Sequence, residues 1–378
     1  MSMQDPAIYF LNPPASRRLD KPHEPCLETS RFSTLPHSSV VLLTVDMAPS
    51  LLKWRILPSF LSASVLFAGT ALCTSFERLR TRSINISPAI DINFPDPTTL
   101  KDTNGTWYAF ATNGNGKNVQ SASAPDISGP WTVLDNDLLP TVGAWSNGAN
   151  VWAPDVRLIG STYVLYYTAT DAASTNQHCV GTATSNTILG PYTPQANTIA
   201  CNITAGGAID PSGFTDTDST HYVVYKVDGN SVGHGGVCGN TVDPIVPTPL
   251  MLQQLEADGV TPSGDPIELL DRSDADGPLI EAPRLILVNG VYILFFSSNC
   301  YSTPQYDISY ATASSIKGPF TKSSAPLAVT SNPFNLTAPG GSTATADGKN
   351  MVFHANCAAG RCMYETTITV SGTTISIP

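Results

Sequence analysis

Four acids in the chain stand among apolar and proline neighbours. Asp96 lies in Asn93-Phe-Pro-Asp-Pro97 and Asp155 in Val151-Trp-Ala-Pro-Asp-Val156. Asp210 lies in Ala208-Ile-Asp-Pro211 and Glu281 in Leu279-Ile-Glu-Ala-Pro283. Taken singly, an Asp beside Pro is usually a turn former, because its carboxylate bonds nearby backbone N–H groups. Glu281 is harder to explain that way, since an acid in apolar company is costly to bury unpaired. Convergent carboxylates suit hydrolysis of a glycosidic bond, in which one acid protonates the leaving oxygen while another activates water. Crowding would tune them, because a carboxyl held beside an ionised one has its pKa raised. Phe94, Trp145 and Trp152 flank these acids in sequence and would offer flat apolar faces to sugar rings.

The elements that could bring such acids together repeat. Short β-branched and aromatic runs begin at Trp107, Tyr163, Tyr222, Tyr292 and Met351, at intervals of 56, 59, 70 and 59 residues. Gly-Pro-aromatic-Thr turns recur at Gly129, Gly190 and Gly318. A period this long, with about four short strands per unit, predicts an all-β, five-bladed β-propeller of four antiparallel strands per blade over residues 85–378. A large β-sandwich is the alternative. Each acid stands 8 to 12 residues before its unit's aromatic run, so all four fall on first strands, which line a propeller's channel.

Composition narrows the partners. Of 378 residues only 13% are charged, and Gly (28) and Pro (31) are abundant, which disfavours coiled coils and helical bundles. The net charge of −11 repels phosphate backbones, so a neutral substrate fits and nucleic acid does not. Residues 1–46 read as a disordered or mis-assigned upstream extension. Residues 47–75 read as a signal peptide: Met47, then Lys53 and Arg55, then an uncharged apolar stretch ending in small residues. A membrane anchor is the competing reading of that stretch. Beyond it six cysteines remain, allowing fifteen pairings. Cys357 with Cys362 would close a short turn, and Cys179–Cys201 and Cys238–Cys300 are the simplest pairs left. Sequons at Asn85, Asn104, Asn202 and Asn335 fit a secreted, extracellular glycoprotein.

From about Asp91 to Tyr364 the sequence resembles glycoside hydrolase family 43, on the "FPDP", "WAPD" and "IEAP" segments. The resemblance implies an inverting hydrolase of plant cell-wall polysaccharide. Asp96 would be the general base, Glu281 the general acid, and Asp155 the residue that tunes and orients that acid. Inversion would place base and acid carboxyls roughly 6.5 to 9.5 Å apart. Asp210, in a family-like "IDP" segment, would shape the channel or touch substrate. His354 matches a histidine that family members place near a channel cation or water, so a calcium or sodium ion is allowed there, though no cofactor is required. The substrate expected is an arabinan-type polysaccharide or oligosaccharide cleaved by an exo-acting α-L-arabinofuranosidase, with endo-1,5-α-L-arabinanase and β-xylosidase next. A monomer without stable membrane association is expected. The loops 135–150, with Trp145, and 228–249 would overhang one mouth of the channel.

Two rivals come from other classes. Gly229-Asn-Ser-Val-Gly233 matches the serine nucleophile pattern, but no helix follows it. A propeller that binds carbohydrate without cleaving it is the other, since fold does not fix function.

Overall fold

The computed structural model describes residues 83–174 and 176–378, so the expected extension and signal segments lie outside the described residues. Four four-stranded antiparallel sheets follow one another along the chain. The first holds β1 (Thr98–Lys101), β2 (Trp107–Ala111), β3 (Gln120–Ala124) and β4 (Thr132–Val133). The second holds β5 (Trp152–Ile159), β6 (Thr162–Thr170), β7 (His178–Ser185) and β8 (Thr193–Ala200). The third holds β9 (Ala208–Thr215), β10 (His221–Val227), β11 (Leu250–Leu255) and β12 (Ile267–Leu270). The fourth holds β13 (Ile280–Val288), β14 (Val291–Ser298), β15 (Ser309–Ala313) and β16 (Thr321–Lys322). A fifth blade contains β17 (Gly340–Ala344), β18 (Asn350–Cys357) and β19 (Gly360–Thr367). Its outer place is taken by the segment before blade 1, where Ile90 bridges Met363. A hairpin, β20 (Thr369–Ser371) and β21 (Thr374–Ser376), follows.

The innermost strands β1, β5, β9, β13 and β17 pack side by side, and β17 meets β1 to close the ring. The result is the five-bladed β-propeller that the sequence period implies. Strands squeezed between blades must be apolar on both faces, and Val164, Leu165, Tyr166 and Tyr167 of β6 are all buried. Five apolar clusters, one at each junction between neighbouring blades, form the core of the described residues. The closing junction joins Val352 and Met363 of blade 5 to Ala109 and Ala111 of blade 1, with Ile90 and Phe94 between them.

Each innermost strand begins with the same backbone bend. Asp96, Ala153, Asp210, Ala282 and Gly341 have φ of 54°, 45°, 57°, 55° and 57°. In four of the five the next residue is proline. In blades 2 to 5 the ladder register shifts at this bend, the mark of a β-bulge. A bulge leaves one N–H without a ladder partner, and a buried N–H must find another acceptor. In four blades that acceptor is a side chain near the end of the preceding blade's second strand. Ala153 N donates to Thr112 Oγ1 (2.8 Å), Asp210 N to Thr168 Oγ1 (3.0 Å), Gly341 N to Ser297 Oγ (3.0 Å) and Asp96 N to His354 Nδ1 (3.1 Å).

The cysteines pair as Cys179–Cys201, Cys238–Cys300 and Cys357–Cys362. The four sequon asparagines are exposed. Among the described residues no helix is long and apolar enough to cross a membrane. Phe353 is fully buried in blade 5, stacked on Phe334 at 5.4 Å and Tyr364 at 5.8 Å. Phe353→Ala is expected to lower the unfolding free energy by about 3–5 kcal/mol, read from the urea midpoint.

Candidate active site

Where the five bends meet, the channel opens into a cavity of about 170 Å³, bordered by Asp96, Asp210 and Glu281. Its other walls are Trp152, Ile209, Tyr301, Tyr306 and Arg361.

Position relative to the bend decides which acid faces the cavity. Asp96 and Asp210 are the bend residues themselves, and Glu281 directly precedes one. Asp155 is the second residue after its bend, level with Thr98, Ser212, Arg284 and Thr343 in the other blades. All five residues of this deeper tier are buried. The expected role of Asp155 beside the acid is therefore corrected. Its Oδ2 instead accepts from Gly213 N (2.7 Å), Arg157 Nε (2.9 Å) and Ser212 Oγ (3.2 Å). Arg284, in the same tier, donates to Thr343 Oγ1 at 3.1 Å and to Pro211 O at 3.3 Å. Burial pulls the Arg284 pKa down, and the charges of Asp155 and then Asp210 oppose that pull. Asp155 thus ties blade 2 to blade 3 and balances buried cations.

The three acids that do converge have different electrostatics. Asp96 Oδ2 accepts from Thr112 Oγ1 at 2.6 Å, and its Oδ1 lies 3.3 Å from Arg361 Nη1. Burial alone would raise the Asp96 pKa, but the Arg361 guanidinium and the Thr112 bond outweigh it and hold the carboxyl below its usual range. Asp210 is pushed up to about 7, by burial first and the Glu281 charge second, against the pull of Lys226. Its Oδ2 accepts from Ala282 N at 3.0 Å, next to Glu281. Glu281 Oε2 is 3.1 Å from Lys226 Nζ.

His354 is fully buried, stacked on Tyr306 at 5.8 Å, and burial lowers its pKa to about 3, so the ring is neutral. A backbone N–H can only donate, so the Asp96 bond assigns the ring proton to Nε2. Nε2 has no protein partner and, carrying the proton, does not fit direct ligation of a cation. Two other groups of potential ligands, Asp91–Cys357–Cys362 and Asp171–Cys179–Cys201, rely on cysteines held in disulfides. His354 is instead the acceptor that holds the Asp96 backbone.

Of the aromatic residues singled out, Trp152 lines the cavity and packs on His178 at 4.2 Å. Phe94 is fully buried in the junction of blades 5 and 1 and offers no face to a sugar. Trp145 stacks on Tyr167 at 5.5 Å and lies against Gly181, where a Cβ would come within 2.2 Å of its ring. It packs into blade 2 and does not line the cavity. The 228–249 loop reaches blade 4 through Cys238–Cys300 and through Asn240 Nδ2, which donates to Pro278 O at 2.7 Å. Ser231 of the nucleophile-like motif donates to Gly206 O at 2.7 Å on a 3-10 turn, and only a second 3-10 turn, Val237–Gly239, lies between it and β11.

Lys226, Tyr301, Tyr306 and Arg361 were not singled out by the sequence reading. Lys226 had a signal, as a lone charge in the apolar run Tyr222-Val-Val-Tyr-Lys-Val227. Arg361 had a weaker one, inside the turn closed by Cys357 and Cys362. Asp155→Ala is expected to cost about 3 kcal/mol of stability, the low end for a broken buried pair because Arg157 is partly in water. The kcat of the folded protein should stay within about tenfold of the parent, short of the loss on removing a general acid or base.

The model of "Glycosyl hydrolases family 43" matches residues 86–372. A "Probable arabinan endo-1,5-alpha-L-arabinosidase A" of Aspergillus flavus is 35% identical over 139 residues, 35% of this chain and 41% of that protein. The "Extracellular endo-alpha-(1->5)-L-arabinanase 1" of Bacillus subtilis is 26% identical over 60% of this chain and 66% of its own length. The match therefore spans about two-fifths of the first relative and just under two thirds of the second. The crystal structure of a thermostable family-43 glycoside hydrolase superposes with a TM-score of 0.65 at 23% identity, covering 78% of this chain and 96% of that one, which bears on fold alone. With the family model covering every blade and its acids gathered at one channel mouth, the chain belongs to glycoside hydrolase family 43.

Proposed function

We propose that this glycosidase cleaves α-L-arabinofuranosidic linkages of arabinan with inversion, releasing arabinose from chain ends. The observation that carries the mechanism is the convergence of Asp96, Asp210 and Glu281 on one cavity, with Arg361 beside Asp96 and Lys226 beside Glu281. Arg361 outweighs burial and holds Asp96 ionised, while burial and then the Glu281 charge push Asp210 up to about 7. A base must start ionised and an acid protonated, and the contrast between Asp96 and the Asp210 carboxyl beside Glu281 supports that division of roles. Asp96 takes a proton from water as that water attacks the anomeric carbon. Glu281 passes a proton to the departing glycosidic oxygen, and Asp210 takes the role first expected of Asp155, keeping a proton in the pair. Trp152 and Tyr301 supply flat walls for the ring.

The arabinan substrate is supported by the printed names of the relatives. Action at chain ends is supported by the small cavity and by Tyr301 and Arg361 on its walls. Those names favour a second reading, internal cleavage by an endo-acting enzyme. A secreted location is supported by three disulfides, by exposed sequons and by the word "Extracellular" in the Bacillus relative's name.

Product analysis on linear arabinan, with arabinoxylan and xylo-oligosaccharides alongside, separates these readings. Arabinose alone is the expected result. Short arabino-oligosaccharides would mean an endo-acting groove, and no release by folded protein would favour a binding propeller. Asp96→Asn and Glu281→Gln should each cut kcat at least about a hundredfold with the circular dichroism unchanged. Proton NMR of the first product should show the inverted anomer.

A further inference from the structure

The bends of blades 1, 2, 3 and 5 are served by one position of the repeat. The residue paired across from the one before each bend holds the next blade's bend N–H. Thr168 faces Trp152, Ser297 faces Glu281 and His354 faces Gly340 in the ladders, and Thr112 bonds Pro95 in blade 1. Each of these four side chains accepts the bend N–H of the blade that follows. In blade 3 this position, across from Ile209, is Lys226. An ammonium has no lone pair and cannot accept an N–H.

Two things follow from that exception. The blade 4 bend N–H, Ala282 N, turns to Asp210 Oδ2 at 3.0 Å, which fixes Asp210 alongside Glu281. The Lys226 ammonium, fully buried, bridges Glu281 Oε2 and Asp228 Oδ1, both at 3.1 Å. A buried lysine is costly unless paired on more than one side, and Asp228 provides the second side. We propose that Lys226 is a positioning residue for the acid half of the site: it clamps the Glu281 carboxyl, hands the Ala282 N–H to Asp210, and with Asp228 sets the pH at which the pair gives up its proton. This rests on the reading of Asp210 and Glu281 as the acid pair.

The charged and titratable groups around the pair come from every blade that borders it. Blade 3 contributes Lys226 and Asp228, and Asp228 in turn faces His178 of blade 2. Blade 1 contributes Asp96, blade 4 Arg284 and Tyr306, and blade 5 Arg361. Lys226 touches Glu281 directly, so its charge dominates the change when it is removed. Loss of a cation disfavours the carboxylate, and the pair then holds its proton to higher pH. Loss of Asp228 leaves the Lys226 charge less neutralised and moves the pair the other way.

Lys226→Thr restores the hydroxyl that other blades use at this position, so it keeps an acceptor for Ala282 N while removing the charge. The pH profile of kcat/KM on an aryl α-L-arabinofuranoside should show its alkaline limb moved up by about one unit or more in Lys226→Thr. In Asp228→Asn the same limb should move down. Opposite shifts support the inference. Lower activity at every pH with the limb in place in both folded variants would overturn it, leaving Lys226 a structural residue. If Lys226→Thr fails to fold, the direction of the Asp228→Asn shift decides: downward supports the clamp, and no shift or an upward one overturns it. A wild-type protein that hydrolyses none of the arabinosides overturns the glycosidase reading itself, a different result from an active enzyme with unmoved limbs.

Discussion

Five backbone N–H groups, one at the bend of each inner strand, hold the channel together. A left-handed φ costs roughly 1–2 kcal/mol at a residue other than glycine. Asp tolerates it best, yet Ala153 and Ala282 adopt it as well. Such strain persists only where the surroundings over-determine it. Here the apolar cluster at each blade junction fixes the strand, and a side chain from the neighbouring blade takes the exposed N–H. The bond that removes the penalty is also the bond that joins one blade to the next. Every bend is therefore both an inter-blade joint and the ledge on which a catalytic group can stand.

Ring closure does more than seal the fold. Asn93 Oδ1 accepts from Arg361 N at 3.0 Å and Phe94 N donates to Arg361 O at 2.8 Å, so the strand leading to Asp96 is pinned to the strand bearing Arg361. Gly341 lets His354 and Asp96 come close, since a Cβ there would lie 2.7 Å from the imidazole. The Asp96 side of the cavity is thus built across the junction between blades 5 and 1. The Glu281 side is built across the junction of blades 3 and 4. Each side gets its cation from the adjacent blade, Arg361 for Asp96 and Lys226 for Glu281.

The sequence carried the fold through its period, because each blade must supply the same apolar strand to fill the same junction. It also carried the convergence of Asp96, Asp210 and Glu281 on one cavity. What it concealed was phase within the repeat. Asp155 and Asp210 both stand in proline-bounded segments at similar distances from an aromatic run. Only the bend, invisible without φ, shows that one is two residues deeper than the other. Phe94 and Trp145 misled because closeness to an acid in sequence does not fix where a ring packs: Phe94 fills the junction of blades 5 and 1, and Trp145 lies against blade 2. Tyr301 was hidden because it approaches the cavity from a turn, and Arg361 because it stands at the start of β19, both distant in sequence from every acid.

Two of the three disulfides stand beside these residues. Tyr301 directly follows Cys300, and Arg361 directly precedes Cys362, while the Arg361 guanidinium lies 5.0 Å over the Tyr301 ring. Two bridges therefore support one wall by different means. Cys238–Cys300 spans 62 residues, and in the chain-entropy model such a closure stabilises by about 4 kcal/mol, enough to hold the 228–249 loop against blade 4. Cys357–Cys362 spans only 5 and contributes about 2 kcal/mol in that model. Its value lies in stiffening the turn that presents a guanidinium to Asp96. A cation that drifts by an ångström loses hold of the base, so rigidity here is electrostatic as much as mechanical.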